Sequence, residues 1–586
     1  MNGNRSTMAA RFALGAVGAI AGGALHVVTE ILPDHLTGHP RLVLFAALLT
    51  VTFFIGCLAL AGPLRLWRAA AAAAVLALVV AALGTWASLR FDETGAFIET
   101  GHPLAALAIL SFLPLPFVMA ADVERRWNDY PALFAHSWDI VVRNAAAWVF
   151  VGLVWGIVLL SDELLKLVGL TVIADLLKIE VVPWLLTGTV LGVALAVVNE
   201  LSDYVSPFLV LRLLRLLLPV VTIVVLVFLA ALPIRGLTGL FGGVSAAATL
   251  IAMAAGATLL VTTALDARDD DGAQSPGMRA AVQIMALLLP VLGGMAGVAI
   301  AQRVAQYGWT PDRLAAATLA ALVLAYGLSY AGIVILRRNW AERIRRANVV
   351  LALVVIAVAA AWLTPAFDPQ RLATADQIAR LRSGQVSARA LDLWTIGREW
   401  GRAGRAGLDR LAAIDDPVLA ERLNALAAAP SRFAFERGTL ADRRSDPATR
   451  LREAMPVRPA GAEIPARLLE GMHPWEADRI AHACLRRSPM GNPGCLLLVL
   501  ELSAIAPGDE VVIATLGPGD MLDLMAYVAQ APGSAFEQRL PTGPFDAGPM
   551  PEGAATLDRL FSGDYTLSPI EMRTLEVAGH RLFFGP

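Results

Sequence analysis

The sequence predicts a polytopic α-helical membrane bundle of about 11 transmembrane helices, followed by a helical linker and a small soluble α+β domain. Three observations carry that reading. Apolar runs crowd residues 8–364, and eleven of them are long enough to cross a hydrocarbon core of about 30 Å. Residues 365–586 have the mixed composition of an ordinary soluble protein. Charged residues make up 16% of the chain, below the roughly 25% of soluble domains, and the deficit falls in the first part. The chain therefore divides into a transmembrane domain at 1–365, amphipathic helices and an Arg/Pro-rich linker at 366–460, and a soluble α+β domain at 461–586.

The stretch 306–346 supplies a span, a direction and an anchor. Pro311 suits the first turn of a helix, where its missing N–H costs nothing. An apolar run follows at 314–336 and ends in Arg337, Arg338, Arg343, Arg345 and Arg346. A basic cluster beside a membrane helix marks the cytoplasmic side. Counting from there places spans at 12–32, 41–62, 68–88, 103–121, 144–161, 182–199, 207–231, 244–265, 280–301, 314–336 and 347–364. The first resembles a signal peptide, with Arg5 and Arg11 before it and Ala19-Ile20-Ala21 as a cleavage-like site. Its apolar run continues to Val28, so it reads as an uncleaved anchor.

With the N-terminus inside, the inner loops carry Arg65, Arg68, Arg125, Arg126, Arg143, Arg212, Arg215, Arg268 and Arg279 besides the cluster. The outer loops carry mainly Asp34, Asp92, Glu93, Glu99, Asp162 and Glu163. Arg41, Arg90, Lys166, Lys178, Arg235, Arg303 and Arg313 are exceptions. An odd number of spans then puts the tail outside, which in a Gram-negative bacterium means the periplasm. Two segments bear on the count. Residues 163–181 read as an amphipathic helix in the outer interface, and 232–243 are too short to span. Lysine occurs only at Lys166 and Lys178, which reads as the coding bias of a GC-rich genome.

Small residues at four-residue spacing (Gly18 and Gly22, Gly188 and Gly192, Gly293 and Gly297) predict close helix approach, read as packing inside the bundle with dimerisation as the alternative. Pro219 and Pro290 predict kinks. Beyond the spans, Thr374 and Gln377 form a capping box and Gly384 stops that helix. Leu393, Ile396, Trp400, Gly404, Leu408 and Leu411 make one helical face. Asp416-Pro417 opens a third helix. Residues 430–460 read as linker. In the last part, Pro474 to Leu485 and Asp520 to Gln530 read as helices. Cys495 to Leu502 and Glu510 to Leu516 read as paired strands about a turn at 506–509, and 573–584 as a closing hairpin.

Three motifs resemble the DUF4153 family of bacterial integral membrane proteins. They are Tyr307-Gly308-Trp309-Thr310-Pro311-Asp312-Arg313-Leu314, Gln377-Ile378-Ala379-Arg380-Leu381-Arg382-Ser383-Gly384, and the helix carrying Gly401-Arg402-Ala403-Gly404-Arg405. The resemblance covers the membrane domain and the adjacent helices. It implies a multi-span inner-membrane protein of unassigned activity and supplies no catalytic residues.

Local chemistry is sparse. Cys484 and Cys495 form a candidate disulfide across a short Pro/Gly-rich loop, provided the tail lies in an oxidising compartment; buried thiols are the alternative. His473, Glu476, Asp478 and His482 gather near one helix, but their spacing matches no zinc signature and reads as a helix start with an Asp–His surface pair. His26 and Glu30 form a candidate membrane polar site on the first span, and Glu200 with Asp203 lie at the end of the sixth. There is no phosphate loop, nucleophile elbow, HExxH or dinucleotide fingerprint. No cofactor, metal or nucleic-acid partner is indicated; the bilayer and a protein of the cell envelope are the expected partners.

Three functions fit. The first is a non-enzymatic envelope protein whose bundle anchors a periplasmic partner-binding or sensing domain. The second is a transporter or channel for a small solute, against which the lack of mid-membrane charge argues. The third is a membrane enzyme acting on lipid or glycan precursors at the outer face, where His26, Glu30, Asp92, Glu93 and His102 are the available groups.

Overall fold

The computed structural model describes residues 2–582 apart from 202–206, 242–244, 269–271, 273–274, 442–446, 503–509, 518–520, 530–535, 540–552, 569–574 and 578–579. It divides into two compact units, Met1–Ala428 and Ala429–Pro586.

All eleven apolar runs of the first unit are helices long and apolar enough to cross a membrane. Most ends agree with the sequence to a few residues. The fifth helix is much longer than its apolar run, at Tyr130–Leu167. Asp129 caps it by accepting the Ala132 N–H at 3.3 Å, and Pro131 occupies its first turn. The fourth span consists of two helices, His102–Phe112 and Leu115–Val123, that meet at Pro114. The first passes through a π-helical turn at Val27–Ile31. Within 163–181 the fifth helix continues to Leu167 and a short helix, Val172–Leu177, follows. Much of 232–243 extends the seventh helix, Pro207–Phe241, whose span-like part ends at Leu232.

Side-chain contacts sort the helix ends into two groups. At one end Arg11 meets Glu200, Asn199 donates to the Ala61 carbonyl, Arg68 meets Asp122, and Arg215 meets Asp266. At the other, Arg41 donates to the Phe91 carbonyl, Arg90 to that of Trp362, and Gln377 to that of Tyr307. This grouping is the one that eleven alternating crossings require.

Two of the three glycine pairs act inside the chain, and the third does so through Gly293 alone. The Gly18/Gly22 face of the first span packs on the Gly188/Gly192 face of the sixth. Gly293 meets Leu324 of the tenth span, and Gly327 of that span meets the backbone at Pro290, which stands inside the ninth helix. Gly297 faces open space.

The helix after the last span begins earlier than the Thr374–Gln377 capping box implies. It runs Pro369–Arg382, and Asp368 caps it by accepting the Arg371 N–H at 3.0 Å. Asp368-Pro369 is the stronger start, since it couples a cap to a proline at the first position. Thr374 lies inside the helix and donates to the Gln370 carbonyl. Gly384, with φ +74°, ends it. The next helix, Gly401–Ala412, buries Gly404 and Leu411 with Ile396 and Trp400 just before it, and Asp416 caps the helix Pro417–Ala428.

The second unit is a five-stranded sheet, β1 (Val457–Arg458), β2 (Cys495–Leu500), β3 (Glu510–Leu516), β4 (Leu522–Ala529) and β5 (Phe536–Arg539), in sequence order. The β1–β2 pair is parallel and the others antiparallel. Strand alternation gives it two cores. On one face Leu497, Val511, Ile513, Met525 and Tyr527 pack with Leu451, Leu468 and Ile480 from the preceding helices. On the other, Leu496, Leu498 and Ala514 pack against Leu557 of the helix Gly553–Ser562. The hairpin forms from β6 (Leu575–Val577) and β7 (His580–Leu582). The turn at 506–509 lies outside the described residues.

Residues 520–530 are not helical where described but form β4, because Leu522 and Leu524 serve one face while Met525 and Tyr527 serve the other, a period of two. Residues 430–460 are not a bare linker. They hold the helices Arg432–Ala441 and Pro447–Ala454 and strand β1, and Leu451 and Met455, one turn apart, enter the core.

Candidate functional site

The eighth span, Ala246–Leu265, ends when Asp266 takes a positive φ, 55°, with an extended ψ of −170°. A helix C-terminus leaves carbonyls without intrahelical partners. Arg345, 7% exposed on the last span, answers them: its Nη2 donates to the Leu265 carbonyl at 2.7 Å and its Nε to that of Asp266 at 3.1 Å. The Asp266 carboxylate accepts the Ala267 N–H at 2.7 Å and pairs with Arg215 of the seventh helix. One turn beyond Arg345, Asn348 accepts the hydroxyl of the fully buried Tyr330 at 2.5 Å, and the Tyr130 hydroxyl is buried beside the same amide. Five helices thus bring polar groups to one point.

Two openings flank Arg345. A cavity of about 370 Å³ is lined by Arg279, Val282, Trp340 and Glu342. A cleft of about 610 Å³ is lined by Trp127, Asp129, Tyr130, Arg268, Arg346, Val350 and Leu353. This arrangement holds guanidinium groups against the carbonyls and the carboxylate that end the eighth span. Sequence reasoning placed Arg345 only within a basic cluster. The grouping was hidden because its members are scattered between residues 130 and 348 and the acceptors are backbone carbonyls.

The candidate residues named from the sequence are not brought together in the same way. His26 is buried while Glu30, beyond the start of the π turn, is exposed. Asp92 is engaged by Arg402 at 3.0 Å and by Arg405. His102 Nδ1 accepts the Trp362 indole N–H at 2.9 Å, and Glu93 is exposed. Glu200 pairs with Arg11, and Asp203 lies outside the described residues. In the second unit His473 stacks on Phe433, Glu476 accepts the Tyr527 hydroxyl at 2.6 Å, and His482 Nδ1 lies 2.8 Å from the Asp478 carbonyl. Among the described residues no three His, Cys, Asp or Glu side chains are grouped to hold a metal ion.

The Cys484 and Cys495 sulfurs lie 2.00 Å apart, between the end of a helix and the start of β2. The intervening loop is also held by Asp558, whose carboxylate accepts from Ser488, from Asn492 at 2.7 Å and from the Met490 N–H at 3.3 Å. Burial raises the Asp558 pKa, but these three hydrogen bonds together outweigh it and hold the carboxyl below its ordinary value.

Arginine capping of helix ends recurs. Arg90 donates to the carbonyls of Trp362, Thr364 and Phe367 at the end of the last span. Burial lowers its pKa, opposed by nearby Asp368. Arg143 donates to the Ala59 carbonyl, and Arg380 to those of Val304, Ala305 and Gln306. These contacts account for several cations that fall at the end expected to be poor in them. Arg41, Arg90 and Arg313 are committed to carbonyls, and Lys166 and Lys178 to neighbouring carboxylates.

The motifs that carried the family resemblance prove to be fastenings. Gly308, with φ +76°, leaves room for Gln377 and Asp376. The Gln377 amide donates to the Tyr307 and Trp309 carbonyls, and Asp376 accepts the Trp309 N–H at 2.8 Å. Gly401, with φ +57°, lies where a Cβ would stand 2.5 Å from the Arg90 carbonyl oxygen. Comparison with curated proteins and with solved structures gave no match. A family model described as a domain of unknown function matches residues 43–411, from the second span to the end of the helix fastened by Arg402 and Arg405. The chain belongs to the DUF4153 family.

Proposed function

We propose that this multi-pass membrane protein is a non-enzymatic component of a bacterial inner membrane. Its bundle anchors a periplasmic domain that binds a partner or senses a signal. The observation that carries this reading is the second unit itself: residues 429–586 bury two cores of their own around one sheet. Orientation follows from the Arg337–Arg346 cluster with an N-terminus in the cytoplasm. The envelope protein that the domain would meet is the expected partner.

Fusions test the placement. Alkaline phosphatase joined after Pro586 is expected to be active, and a fluorescent protein that folds only in the cytoplasm is expected to stay dark. The reverse pattern overturns the periplasmic assignment. A chain ending at Ala428 tests the role: it should still assemble in the membrane and fail to complement a deletion strain. Substrate-dependent flux in proteoliposomes of the purified protein would replace this reading with that of a transporter.

A further inference from the structure

The cleft of about 610 Å³ beside Arg345 is polar at one end and apolar at the other. Arg268, Arg345 and Arg346 supply the polar end. Val350 and Leu353, 60% and 38% exposed, continue from it along the outward side of the last span. Trp127, 53% exposed, stands at the rim, an aromatic residue of the kind that sits at headgroup depth, and Tyr130 lines the cleft with its hydroxyl turned into the bundle. The acidic groups on the lining are Asp129, which caps the fifth helix, and Glu342, which pairs with Arg346. Residues 269–271, which follow Arg268, lie outside the described residues.

We propose that this cleft binds an anionic glycerophospholipid. The phosphate sits among the three guanidinium groups and one acyl chain lies along Val350 and Leu353. Basic pockets between membrane helices take anionic headgroups. Arg345 is already fixed by the Leu265 and Asp266 carbonyls, so little ordering remains when the anion arrives. A soluble anion would leave the apolar wall uncovered, which is why the occupant is a lipid. The inference concerns the bundle alone and holds whatever the second unit binds.

Native mass spectrometry of the full chain in detergent tests it, with phosphatidylglycerol and phosphatidylcholine as probes. Phosphatidylglycerol should be retained at one site in preference to phosphatidylcholine. Arg268→Gln and Arg346→Gln should each weaken it about fivefold and leave phosphatidylcholine unchanged. Both side chains are exposed, and an unchanged melting temperature verifies the fold. Leu353→Trp, which fills the apolar path and keeps the charges, should weaken both lipids. Equal retention of the two lipids, or wild-type affinity in the arginine variants, overturns the proposal. Displacement by excess inorganic phosphate also overturns it, in favour of a soluble anion.

Discussion

Gly18 and Gly188 stand backbone to backbone: a Cβ on Gly18 would lie 2.0 Å from the Gly188 carbonyl oxygen, and one on Gly188 2.1 Å from that of Gly18. No rotamer relieves a clash at Cβ, so Gly18→Ala must push the first and sixth spans apart. We expect a loss of about 1–3 kcal/mol, the usual range for overpacking. It should read as a lower melting temperature of the detergent-solubilised protein. Gly297→Ala, where a Cβ meets open space, should leave that temperature unchanged or raise it.

Arg380 and Gln377 fasten the helix Pro369–Arg382 to the carbonyls that end the ninth span. These acceptors are half-buried or exposed, so removing either donor loses hydrogen bonds that water partly replaces, at a cost of about 0.5–1.5 kcal/mol. Hydrogen exchange should rise across 369–382 in Arg380→Ala and Gln377→Ala. Arg382→Ala, on an exposed residue of the same helix, should show no such rise.

The Cys484 and Cys495 sulfurs close a loop with a sequence separation of 11. A bridge of that size contributes about 2–3 kcal/mol. Cys484→Ser should therefore lower the stability of the second unit by that amount. Alkylation of the denatured protein followed by mass measurement should find only Cys57 labelled in the wild type, the one cysteine outside this pair. Labelling of all three would show that the tail is made in a reducing compartment.

Tyr527 carries the pH prediction. Burial first, and then its hydrogen bond to Glu476, raise its pKa above the ordinary value of 10.0. The unfolded chain would release this proton near pH 10, whereas the folded chain keeps it. The unfolded state then binds fewer protons, so stability is fully present below about pH 10 and falls as pH rises further. Tyr527→Phe should flatten that alkaline slope and cost about 1–3 kcal/mol at neutral pH, because Glu476 loses its buried donor. Alkaline unfolding followed by circular dichroism measures both.

The spans were legible because a run of some twenty apolar residues has few alternatives to a membrane helix. The strand at 522–529 was misread since eight residues of mixed character suit either period, and its pairing with β3 decided the matter. Leu451 and Met455 were too few among arginines and prolines to announce a helix packed in a core. The polar cluster was not legible for a different reason. Arg345 and Arg215 meet through Asp266, and nothing local to any of the three signals the other two. Backbone acceptors leave no mark on a sequence at all.

The carbonyl caps give the arginine excess a geometric content that a codon-bias reading misses. Arg380 reaches three carbonyls through two nitrogens, and Arg345 reaches two through Nε and Nη2. An ammonium group is a single point on a flexible stem and cannot reproduce that fork. Drift in base composition that turns arginine codons into lysine codons should therefore pass unnoticed at exposed Arg337 or Arg343, and be purged at Arg345 and Arg380. Relatives in AT-rich genomes would then keep arginine at these two positions while their other cations turn to lysine.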